Sequence, residues 1–272
     1  GWASSVSFCF GAGSPYHGAK GNDDDTIVGW MDTMRVLVLQ ARRSDDPMMA
    51  HEQGCFVAST RLAAEDLTFI NLPDRVPTRD ELHRFDALMV GGAGHYSVVE
   101  ENAEFFPAAY ELLRQVASDG LPTFASCFGF QLFVVALGGR VIHDPDNTEV
   151  GGYRLRLTED GRRDSLLGTL PVEFVAQMGH MDRAVEMPSG VANLAASDRS
   201  PLQALRIPNR PVWATQFHPE LDQQSNYERY RAYVERYDPG ALDEQEGSSF
   251  QSGPSPEVST LLPAFLDLLR DR

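Results

Sequence analysis

The chain has 272 residues, enough for one ample domain or a domain with an appendage, and its 42% hydrophobic and 10% aromatic content suits a globular core. A formal charge of −16 argues against non-specific nucleic-acid binding, because most of the surface would repel a phosphate backbone. No apolar run approaches the ~18 residues of a membrane-spanning helix, and three cysteines without CxxC spacing argue against a disulfide framework or a structural zinc site. A soluble protein of a reducing, cytoplasmic compartment is expected.

Residues 1–33, rich in Gly, Ser and Asp with an acidic run at Asp23–Asp25, read as a poorly ordered extension outside the domain, which is expected over 34–272. Arg35–Gln40 (RVLVLQ) is a short, continuously apolar run of the kind that forms a strand buried on both faces. Leu67–Leu72, Ala87–Val90 and Thr123–Ser126 are further strand candidates, separated by helical patterns at about 47–59, 78–84 and 103–118. Thr78 with Glu81 three positions on forms a capping box. Strands alternating with helices predict a doubly wound, mostly parallel α/β sheet.

The second half changes character. Segments 153–158, 172–177, 192–196, 203–207 and 212–217 are punctuated by Pro188, Gly190, Pro201, Pro208 and Pro211, and predict antiparallel strands with short turns. The acidic stretch 238–257 reads as a loop, and LLPAFLDLLR at 261–270 as an amphipathic closing helix.

Three segments carry chemistry. In TFASCFGFQ a buried strand ends at Ser126, Cys127 follows, and helical character begins at Phe128. This is a nucleophile-elbow pattern, with Gly129 permitting the tight turn and Ala125 small enough to lie beneath it. A thiol at a helix N-terminus faces the positive end of the dipole, which favours thiolate. Taken alone, a cysteine in an apolar stretch is more often a packing residue. In WATQFHPE a strand runs into His218-Pro219-Glu220; side chains two apart on an extended chain point to one side, and a carboxylate there fixes an imidazole's tautomer. In LMVGGAGH a strand gives way to Gly91 and Gly92, whose backbone N–H groups suit an oxyanion, although a double glycine is also a common turn.

Together, GGAGH at 91–95, SCFGFQ at 126–131 and QFHPE at 216–220 make the chain similar to the class I, triad-type glutamine amidotransferases. The likeness extends from about Met34 to Arg270. It is strongest to the stand-alone, GMP-synthase-like branch, through 151–158, GHMD at 179–182 and the following MPSGVANLAAS.

The resemblance implies a flavodoxin-like sheet with helices on both faces and an antiparallel extension. It also implies Cys127 as nucleophile, His218 as proton carrier and Glu220 as its orienter. Gly92 and Phe128 N–H groups would bind the oxyanion, and Gln131, with the Gly179–His180 backbone, would contact substrate. Ala125 stands where the family often has glycine, and the oxyanion loop lacks the proline that commonly follows its glycines. His95 has no assigned role. His17, His51, His83 and His143 lack metal-ligand spacing, so neither metal nor cofactor is expected.

The partners implied are glutamine, or another γ-glutamyl amide, and a separate synthase protein acting in trans, since no ATP-pyrophosphatase loop follows Glu220. Hydrolysis of γ-glutamyl peptides without a synthase uses the same residues and stays open. So does a regulatory module that has lost turnover, although the complete triad weighs against it.

Overall fold

The computed structural model describes residues 34–101, 103–237 and 249–270; the expected extension over 1–33 and the acidic stretch 238–248 lie outside them. Five strands form the parallel half of a nine-stranded sheet: β1 (Val36–Ala41), β2 (Leu67–Asn71), β3 (Ala87–Ala93), β4 (Thr123–Ser126) and β11 (Val212–Thr215). The antiparallel half is β6 (Glu149–Leu157), β7 (Glu173–His180), β9 (Ala192–Ala196) and β10 (Ala204–Arg206). The order across the sheet is β2-β1-β3-β4-β11-β10-β9-β6-β7. A separate two-stranded ribbon pairs β5 (Arg140–His143) with β8 (Asp182–Glu186).

The continuous apolar run of β1 has a direct cause. Leu37 and Leu39 pack on one face against α3 (Phe106–Asp119) and α4 (Phe128–Ala136), while Val36 and Val38 join the opposite layer with Phe56 of α1 (Met48–Thr60) and Phe265 of α8 (Leu261–Arg270). All six residues of β1 are buried. A strand covered on both sides has no polar face, so its sequence does not alternate. The expected α/β architecture is what the chain adopts.

The capping box at Thr78 is present, with Glu81 N–H donating to Thr78 Oγ1 and Thr78 N–H donating to Glu81 Oε2. It opens a helix of only four residues, α2 (Arg79–Leu82). Strand β6 begins four residues earlier than its alternation signals, because Glu149–Gly152 pair with Gln177–His180 of β7. The short helix α5 (Glu159–Arg163), capped by Thr158, follows it. The last part of the expected loop, from Ser249, bridges back to the sheet through Gln251 and Gly151.

Gly129 fixes how α4 meets the sheet. A Cβ there would lie 2.7 Å from the Val90 carbonyl oxygen on β3, a backbone atom that cannot step aside. Gly129→Ala is therefore expected to destabilise by roughly 1–3 kcal/mol through overpacking, even though alanine is the better helix former. A urea midpoint that rises instead of falling would contradict this contact.

Candidate active site

Parallel pairing of β4 with β11, with Thr215 opposite Ser126, brings the carboxyl ends of both strands side by side. The Cys127 N–H donates to the Thr215 carbonyl (2.7 Å), so the ladder runs one residue past β4 before the chain turns. Cys127 then takes φ 50°, ψ −99° as α4 begins. A non-glycine residue held at such angles costs about 1–3 kcal/mol, and strain of this kind clusters at functional positions. The side chain is buried, and its thiol points toward the Gly179 carbonyl oxygen at 3.8 Å. Gln216 Nε2 donates to the sulfur at 3.7 Å.

His218 leaves β11 beside this turn, its N–H donating to the Gln177 carbonyl of β7. Its Nδ1 lies 2.6 Å from Glu220 Oε1, and both side chains are buried. The opposite ring edge faces the thiol: a Cβ on Gly179 would lie 3.8 Å from His218 Nε2, so sulfur and imidazole meet at the same residue of β7. Burial opposes a charge on His218, but the Glu220 carboxylate and charge and hydrogen bonding from Cys127 outweigh it, raising the pKa to about 9. Burial likewise opposes ionisation of Glu220, yet His218 and then Arg229 bring it down to about 2. An imidazolium held between a carboxylate and a sulfur is the state in which a thiolate can attack and a proton is ready for a leaving amine.

The other sequence-derived residues surround this line. Phe128 opens α4, so its N–H has no intrahelical acceptor. Gln131 sits one turn later, its amide donating to the Asp182 carbonyl (2.8 Å) and to Gln216 Oε1 (3.2 Å). Gly179 faces the thiol as described. The His180 ring is turned inward, with Nε2 at 3.0 Å from Glu149 Oε2, so only its backbone is presented to the cleft. Gly92 is beside the imidazole, where a Cβ would lie 3.1 Å from His218 Cε1. Its N–H, however, donates to Glu52 Oε1 at 3.0 Å. Glu52 is itself buried and clamped by Arg42, through contacts of 2.9 and 3.2 Å, and by Gln40. Among the described residues no cluster of His, Cys, Asp and Glu is arranged to hold a metal.

The family model for class-I glutamine amidotransferases matches residues 62–232. The chain belongs to that family. The amidotransferase is 33% identical over 160 residues to a glutamine-hydrolysing GMP synthase subunit of Archaeoglobus fulgidus, covering 57% of this chain and 78% of that protein. The corresponding subunit of Sulfolobus acidocaldarius is 32% identical over 165 residues, covering 59% and 82%. Longer relatives are spanned only in part: the match to the GMP synthase of Thermosipho melanesiensis, 33% identical, covers 50% of this chain and 24% of that protein. The fold is shared with solved glutamine amidotransferases of Thermotoga maritima (TM-score 0.64, 18% identity, 88% of this chain and 99% of that one) and Methylobacillus flagellatus (TM-score 0.62, 20% identity, 87% and 90%).

Several residues at the amidotransferase site carry no role in the motif reading, Asp182 of GHMD among them. Asp182 lines the same cleft as Cys127, its carboxylate held by Ser97 Oγ (2.6 Å) and His143 Nδ1 (2.7 Å). Arg229 of α6 (Gln223–Ala232) places Nη1 3.6 Å from Glu220 and 3.4 Å from His218 Nδ1, and Nη2 3.9 Å from Glu52. The next helix, α7 (Val234–Tyr237), supplies Arg236 and Tyr237 to the cleft wall. The one local signal for α6 is Asp222 with Ser225, a reciprocal cap at its start. Its composition, QQSNYERYRA, has no apolar stripe, because the face it buries is Asn226, Arg229 and Tyr230.

Proposed function

We propose that this amidotransferase releases ammonia from glutamine through a γ-glutamyl thioester on Cys127, for use by a synthase carried on a separate chain. In the first step the Cys127 sulfur bonds to the side-chain carboxamide carbon while His218 gives its proton to the amide nitrogen, which leaves as ammonia. The proton given to nitrogen is the one His218 takes from the Cys127 thiol; in the second step water attacks the thioester, His218 takes a water proton, and it returns that proton to the sulfur as glutamate departs. Glu220 keeps the imidazole in one tautomer and supports its charge.

The Phe128 N–H at the start of α4 is assigned to the oxyanion. Gly92 joins it once its amide turns away from Glu52. Gln131 and the Gly179–His180 backbone line the substrate, and Asp182 offers its carboxylate to the α-ammonium group. The assigned domain is 34–272, in a cytoplasmic setting where Cys127 stays a free thiol. No described helix is long and apolar enough to cross a membrane.

The observation that carries this reading is the line from thiol through imidazole to carboxylate, closed by the 2.6 Å contact of His218 with Glu220. A substrate panel tests it. Ammonia release from glutamine, enhanced by a synthase from the same genome, is the expected result. Brisk turnover of γ-glutamyl dipeptides with poor turnover of glutamine would instead make the protein a γ-glutamyl hydrolase acting alone.

The pH profile supplies an independent check. His218 must be protonated to expel ammonia, so the rate is expected to hold through neutral pH and fall as pH rises through about 9. Glu220→Gln removes the charge that raises this pKa, while Arg229 stays in place at 3.4 Å from His218 Nδ1. The alkaline limb should therefore move down by roughly one to three units. A limb that stays in place or moves up would assign it to a different group.

A further inference from the structure

We infer that Arg236 reads the α-carboxylate of the substrate and so sets which amides the pocket accepts; the inference rests on the glutaminase reading above. Glutamine carries one anionic group, four bonds from the carboxamide carbon that Cys127 attacks. A site that selects it needs a cation about one substrate length from the thiol. Arg236 lines the cleft with Cys127, Gln131, Gly179 and Asp182 and is the one arginine or lysine among the described residues that line it.

The guanidinium is anchored, and among the described residues it is not paired with a carboxylate. Its Nη1 donates to the Gly94 carbonyl at 2.6 Å, which anchors one edge of the group. Its contact among the described residues is that carbonyl oxygen and not a carboxylate, in a protein whose formal charge is −16. Asp182, the carboxylate that shares the cleft, is already held by Ser97 and His143. The other N–H groups of the planar fork remain for a carboxylate, which that geometry matches two bonds at a time. The neighbouring Tyr237 secures the segment, its hydroxyl donating to the Gly179 carbonyl at 2.8 Å, the same oxygen that the thiol faces. Both residues lie beyond the span 62–232 matched to the family, so this wall is contributed by a part of the chain outside the shared pattern.

The test compares L-glutamine with 4-aminobutanamide, which is glutamine without its carboxylate, on wild type, Arg236→Gln and Arg236→Lys. Wild type should strongly prefer glutamine. In Arg236→Gln the KM for glutamine should rise by roughly tenfold to a hundredfold, the scale of one charge-assisted hydrogen bond, with kcat changing far less. The preference over 4-aminobutanamide should collapse by the same factor. Lysine keeps the charge without the fork and should fall between, which covers a glutamine variant that fails to fold. If both variants slow the two substrates equally and keep the wild-type preference, Arg236 merely holds the Gly94 loop and the assignment is overturned. If wild type releases ammonia from neither amide, the glutaminase reading itself falls and takes this assignment with it.

Discussion

Cys127→Ala should abolish ammonia release from glutamine, by a factor of at least about 10⁴, while the protein stays folded. The sulfur is the only atom lost, and no other described side chain in the cleft can form the acyl intermediate. Cys55, the other free thiol among the described residues, is half-buried on α1, and burial pushes it up to about 11. The strained turn belongs to the backbone of residue 127, so alanine inherits it, and the urea midpoint should move little. Wild-type-like turnover in this variant would remove the nucleophile from the account.

His218→Ala should be the second most damaging change, and worse than Glu220→Gln by about two orders of magnitude. Alanine removes the group that both gives and takes the proton. Glutamine leaves that group in place and can still accept the Nδ1 hydrogen bond, losing only the charge that fixes and raises it. The Glu220 variant will not be benign, because Arg229 then faces the imidazole with one of its two counter-charges removed and only Glu52 left. Comparing kcat for the two variants at pH 7 settles the ranking. The reverse order would mean that Glu220, and not His218, carries the proton.

How much of this is legible in the sequence depends on the range of each interaction. The turn at Cys127 is written locally, in a buried strand, a cysteine and a glycine two residues on, the glycine because Val90 leaves no room for a side chain at position 129. Likewise His218-Pro219-Glu220 encodes its own geometry in three adjacent residues. The sheet halves are visible because covered strands read as unbroken apolar runs and the antiparallel ones are punctuated by Pro and Gly.

Other features are distributed. The Gly92 amide is engaged by Glu52, forty residues earlier on α1, and that carboxylate is ionised there because Arg42 and Arg229 come to it from β1's end and α6. No window of sequence contains those four residues. The ribbon of β5 and β8 is hidden for the same reason: each strand is short and pairs only with the other. Helix α6 is hidden by chemistry, since it buries polar side chains against a polar site and so shows no hydrophobic period.

Peptide mass spectrometry after treatment with a diazoketone analogue of glutamine addresses the acyl-transfer chemistry most directly. A single adduct is expected on the peptide carrying Cys127, formed with loss of nitrogen, prevented by excess glutamine and absent in His218→Ala at short times. An adduct on Cys55 with Cys127 unmodified, or full inactivation without any thiol adduct, would contradict a thiolate nucleophile at the end of β4.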